Sequence, residues 1–91
     1  MDTITFDNIR ETVDALTSEQ REAQDLAASL RVRGDLNDLR AADRRARTAT
    51  ERVCPLRVVL SIMDAGNMDE AEEALALYNY RAKAGLLRLY P

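Results

Sequence analysis

The residues best equipped for chemistry in this chain are arginines. Eight fall between residues 31 and 57, alongside four acids, although the whole chain carries a net charge of −3. The densest run reads DLRAADRRARTATERVCPL over residues 38–56. A guanidinium group grips carboxylate or phosphate through a planar set of donors, so such a run points to recognition rather than bond breaking. Arg40, Arg44 and Arg47 step four and three residues apart, which puts them on one exposed stripe of a helix. Arg45 and Arg52 flank the apolar seam of the same helix.

Residues able to break bonds are scarce. Histidine is absent, which removes the commonest general base and metal ligand. Ser18, Ser29 and Ser61 therefore have no imidazole to activate them. Cys54 is the only cysteine, so neither an internal disulfide nor a thiolate metal cluster can form, and it reads as a small buried hydrophobe. The acid pairs Asp69-Glu70 and Glu72-Glu73 are adjacent on a helix, so their carboxylates diverge. Glycine-rich phosphate loops and calcium-loop spacings are missing. No catalytic residue, metal site or cofactor is expected, and the chain is read as a non-enzyme.

Charge is distributed acid, base, acid along the chain. Residues 1–30 hold seven acids against two bases, and residues 58–91 hold five against three. The central arginines can meet those acids, acids on a partner protein, or the phosphates of a nucleic acid. Nucleic acid is the weaker expectation. The chain is acidic overall, Lys83 is its only lysine, and no aromatic interleaves the arginines for base stacking.

The elements that must position these residues are helical. A chain of 91 residues makes one domain, spanning 1–91. Phe6, Ile9, Val13, Leu16, Gln20, Ala23, Ala27 and Leu30 alternate three and four apart, predicting a first helix over Phe6–Arg33 capped by Thr5 or Asp7. Gly34 stops it and Asp35 caps the next helix, whose stripe is Leu39, Ala42, Ala46, Ala49, Val53, Leu56, Leu60 and Met63. So short a connection makes the pair an antiparallel hairpin with facing seams. Pro55 either kinks the second helix or opens a new one. Gly66 ends that stretch. Asn67 then starts a last helix in a capping-box pattern with Glu70, with Met68, Ala71, Leu75, Tyr78, Ala82, Gly85 and Leu89 on one face, running to Tyr90-Pro91. The fold class is therefore all-α: a helical hairpin plus a third helix, or four short helices if Pro55 breaks the second.

The segment IMDAGNMDEAEEAL resembles the turn between the two helices of a tetratricopeptide or pentatricopeptide repeat, through Gly66 and the acid–alanine pair Glu70-Ala71. The likeness covers about a quarter of the chain. Val59 and Tyr78 stand where such repeats favour small residues, and no second copy of the motif is present to stack on it.

The stretch LYNYRAKAGLLRLYP carries more apolar surface than one core face needs. Leu77, Tyr80, Ala84 and Leu87 lie partly off that face and mark a contact surface. No run of residues approaches the length of a membrane span, and the opening MDTITFDNIRE is neither a secretory signal nor a transit peptide. A soluble cytoplasmic protein is expected. Its expected function is non-enzymatic protein binding, as a small adaptor, regulator or inhibitor of the kind that phages and mobile elements encode. Arg40, Arg44, Arg47, Leu77, Tyr80 and Leu87 would be the partner-binding residues. The heptad seams also permit a homodimer. The alternative is a nucleic-acid accessory protein that uses the arginine-rich helix.

Overall fold

Gly34 and Asp35 make the first sharp turn of the chain, and both residue types are dictated by it. A Cβ on Gly34 would lie 2.7 Å from Leu30 Cα, so only glycine lets the chain leave the helix this closely. The Asp35 carboxylate accepts from the Asn37 amide at 2.7 Å and caps the helix that follows. A computed structural model of the chain describes residues 3–87. It contains three helices: α1 (Ile9–Arg33), α2 (Leu36–Asp64) and α3 (Met68–Ala84). The all-α fold read from the sequence is the fold observed, in its three-helix form.

Helix α2 runs unbroken through Pro55. An internal proline removes one backbone donor and costs about 3 kcal/mol in a helix interior. The stripe offsets that cost. Val53, Leu56 and Val59 are fully buried around the proline, and full burial of such a side chain contributes about 1.5–3 kcal/mol.

Helix α1 begins three residues later than its periodicity suggests, because residues 5–8 form a turn. The Asn8 side chain accepts from the Thr5 amide at 2.8 Å, and the Asn8 amide donates to the Thr5 carbonyl at 3.2 Å. Asn8, rather than Thr5 or Asp7, is the N-cap residue.

Helix α2 ends in a Schellman turn. The Gly66 amide donates to Met63, the Asn67 amide donates to Ile62, and Gly66 has φ +81°. The Asn67 side chain donates to the Glu70 carboxylate at 2.9 Å and the Asn67 amide donates to Ile62, so the two residues pair side chain to side chain and neither backbone bond of the expected capping box forms. Helix α3 closes the same way. The Gly85 and Leu86 amides donate to Ala82 and Arg81, and Gly85 has φ +72°. Gly85 is thus the stop of α3 rather than a member of its seam, and the helix is shorter than predicted. Leu89 and Tyr90, placed on its end by the sequence, lie outside the described residues.

Helices α1 and α2 form an antiparallel hairpin within a molecule 49 Å long and 24 Å across. Helix α3 packs against α2 and makes no comparable approach to α1. The segment before α1 closes the remaining side, where Ile4 is buried.

The core consequently has two zones. At the α3 end, Ile4, Ile9, Val13, Val53, Leu56, Val59, Leu75 and Tyr78 form one buried cluster. Toward the Gly34 turn the seam is alanine: Ala23, Ala27, Ala42 and Ala49. These small side chains bring the helices close but bury little area each.

Candidate protein-interaction surface

Two lines of residues on α2 repeat every seven positions and define the sides of the hairpin. On one side, Asp43, Thr50, Arg57 and Asp64 each meet α1. Arg31 pairs with Asp43 at 3.2 Å, Gln20 donates to Thr50 at 2.6 Å, Arg57 donates to Thr17 at 2.9 Å, and Arg10 pairs with Asp64 at 2.8 Å. Gln20, the polar member of the α1 seam, therefore has a specific partner. On the other side lie Asp38, Arg45, Arg52 and Val59. Helix α3 covers the Val59 end of this line. Arg45 reaches back to Glu19 at 3.2 Å and Glu22 at 3.6 Å.

The outermost face of α2 carries the predicted arginine stripe. Arg40, Arg44 and Arg47 are all exposed. Arg47 pairs with Glu51 at 3.5 Å, one turn further on. Neither Arg40 nor Arg44 has an ion-pair partner among the described residues. Arg45 alone in this run meets acids of α1, so arginines five residues apart serve different ends.

The stripe continues into a groove. Arg40, Arg44, Arg47, Glu51, Pro55 and Val58 step three or four residues apart, so they form one line along α2. Glu51, Pro55 and Val58 are also one wall of an open groove of about 570 Å³ between α2 and α3. Ala74, Leu77 and Arg81 form the opposite wall, and Leu86 and Leu87 close its end. Val58 is 59 % exposed, Leu86 55 % and Leu77 48 %, which is high for aliphatic side chains gathered in one concavity.

Of the residues singled out in the sequence, Leu77 and Leu87 line this groove, and Leu87 also packs on the core cluster. Tyr80 does not line it. It sits one turn beyond Leu77 on the same side of α3 and is 66 % exposed. The sequence reading missed Pro55, Val58 and Leu86 as surface residues. The pair Val58-Val59 held the signal, since a helix cannot bury both members of an adjacent apolar pair on one seam. Cys54, read as buried, is instead exposed. Its neighbours Val53 and Leu56 point into the seam, and Cys54 falls one residue off that face.

Tyr78, on the core side of α3, has a displaced acidity: burial raises its phenol above the ordinary value of 10.0, and the positive charge of Arg52 opposes that rise. Among the described residues no three acidic or thiol groups converge as a metal site, and no helix is long and apolar enough to cross a membrane. No known protein-family model matches the chain, and neither a search of curated proteins nor one of solved structures finds a significant match.

Proposed function

We propose that the chain is a non-enzymatic protein-binding module that docks one segment of a larger partner along the outer face of α2. The observation that carries this reading is the continuity of the arginine stripe with the apolar groove. The groove supplies burial through Val58, Leu77, Leu86 and Leu87. Arg40, Arg44 and Arg47 extend the same line with positive charge. A segment that matches both is an amphipathic helix with aliphatic residues at one end and acids further along. The aliphatic contacts would supply most of the affinity, and the arginines would set orientation and approach rate. Adaptor, regulator and inhibitor are all roles such a module can fill by occluding or bridging its partner.

The test is capture from the native host with the wild-type chain, followed by reconstitution with the purified partner. Substituting Val58→Asp together with Leu77→Asp is expected to weaken the reconstituted complex at least about tenfold while helicity is retained. R40E with R44E is expected to lower the association rate and its salt sensitivity. An unchanged affinity in the first variant sinks the groove. A salt-sensitive complex with DNA or RNA that R40E/R44E abolishes, with protein capture unaffected, transfers the stripe to the nucleic-acid reading.

A further inference from the structure

We infer that the half of the hairpin nearest the Gly34 turn pairs, antiparallel, with the same half of a second copy of this chain. Helix α3 covers only part of the side of the hairpin marked by Asp38, Arg45, Arg52 and Val59. Its C-terminal end, Ala82 to Leu87, lies against Thr48, Glu51 and Arg52. Among the described residues, that side has no third layer from Thr48 to Asp35. A second apolar depression, of about 360 Å³, occupies this stretch and is lined by Leu26, Leu30, Asp38, Ala41, Ala42 and Arg45. Leu26 is 45 % exposed within it. The opposite side of the hairpin is bridged by polar pairs along its length, so the apolar gap is confined to the side α3 leaves open.

The pattern of this patch is its own complement. Asp38 lies three residues before Ala41, and Arg45 three residues after Ala42. A two-fold axis crossing α2 between the two alanines therefore sets Asp38 of each copy against Arg45 of the other. Asp38 has no ion-pair partner among the described residues, so its carboxylate is available. Exposed Ala41, beside the axis, lets the two α2 backbones approach closely, while Ala42 is buried in the seam with α1. On α1, Leu26 and Leu30 are symmetric about Ala28. Counting eight residues toward the turn from the Gln20–Thr50 pair puts Ala28 level with Ala42, so both helices place the axis at the same height.

Lengths agree as well. Asp35 lies six residues before Ala41, and Thr48 six after Ala42. The same axis brings the partner's turn to the end of α3 without overlapping it. The uncovered side is about 20 Å long at 1.5 Å per residue and about two helices wide, giving a four-helix bundle with an isologous interface. That area is at the low end for specific association, so the dimer is expected in the micromolar range. The arginine stripe and the α2–α3 groove stay outside it, so this inference is independent of the proposed function.

Sedimentation equilibrium on the full chain tests it. The wild type is expected to shift from monomer to dimer with rising concentration. D38R and R45D are each expected to weaken self-association at least about tenfold, since each makes two like-charged contacts across the axis. An equimolar mixture of D38R with R45D is expected to recover dimer as a heterodimer. R45D also loses the Glu19 and Glu22 contacts, so its helicity is followed by circular dichroism; D38R disrupts no ion pair within the chain. A wild type that stays monomeric to about 1 mM overturns the inference. So does a mixture no more associated than its components, or a dimer abolished by V58D/L77D, which would place self-association in the other groove.

Discussion

The Asn79 side chain holds the backbone of Ile4 by two hydrogen bonds: the Ile4 amide donates to Oδ1 at 2.9 Å, and Nδ2 donates to the Ile4 carbonyl at 2.8 Å. A primary amide offers one donor and one acceptor side by side, so it can complete a backbone unit as a neighbouring strand would. Through this clasp the segment before α1 fills the side of the core that α3 leaves open toward α1. Asn79→Ala leaves a partly buried N–H and C=O without partners, at a cost of about 1–3 kcal/mol. The expected result is a melting temperature lower by roughly 4–8 °C per kcal/mol for a chain of this size, with fast hydrogen exchange at the Ile4 amide. Unchanged exchange at Ile4 would show that the clasp does not hold in solution.

That relationship was not legible in the sequence, and the reason is physical. Ile4 sits in a short run with no helical or strand period, and its partner is a polar residue 75 positions away. The two long seams were legible, because Ile9, Val13, Ala23 and Ala27 on α1, and Ala42, Ala49, Val53 and Leu56 on α2, obey the three–four spacing that helix geometry imposes. Gly85 was misread as a seam position because apolar Leu86 and Leu87 follow it, and the sequence does not reveal that the glycine adopts the left-handed conformation. At the surface, the arginine stripe followed from spacing alone. The groove did not, since which of Val58 and Val59 is covered depends on the side from which α3 crosses.

Pro55 is a cost that the fold tolerates. Replacing it with alanine returns a backbone donor to the turn and removes the ring's clash, so Pro55→Ala is expected to stabilise the chain by about 1–3 kcal/mol. Urea unfolding would show a higher midpoint at constant slope. A midpoint at or below wild type would mean that the ring's contacts in the groove wall outweigh its backbone penalty.

Arg40 and Arg44 are expected to matter for binding and not for folding. Both are exposed and have no ion-pair partner among the described residues. R40E with R44E is therefore expected to change unfolding free energy by no more than about 0.5 kcal/mol per site. A loss several times larger would reveal a structural role and remove the stripe as a candidate contact surface.

Tyr78 ties stability to alkaline pH. Burial in the cluster with Leu75 and Val59 favours the neutral phenol, and the Arg52 charge only partly opposes this, so the folded-state pKa lies above the ordinary 10.0. Below pH 10 both folded and unfolded chains keep the proton, and the contribution is fully present. Above it the unfolded chain releases the proton first, and stability falls as pH rises through the folded pKa. Tyr78→Phe keeps the ring and deletes the ionisation. Unfolding free energies measured in steps upward from pH 8 are expected to fall less steeply in the variant than in the wild type, with the two curves parallel below pH 10. Curves that stay parallel through the alkaline range would show that Tyr78 ionises as freely in the folded chain as in the unfolded one.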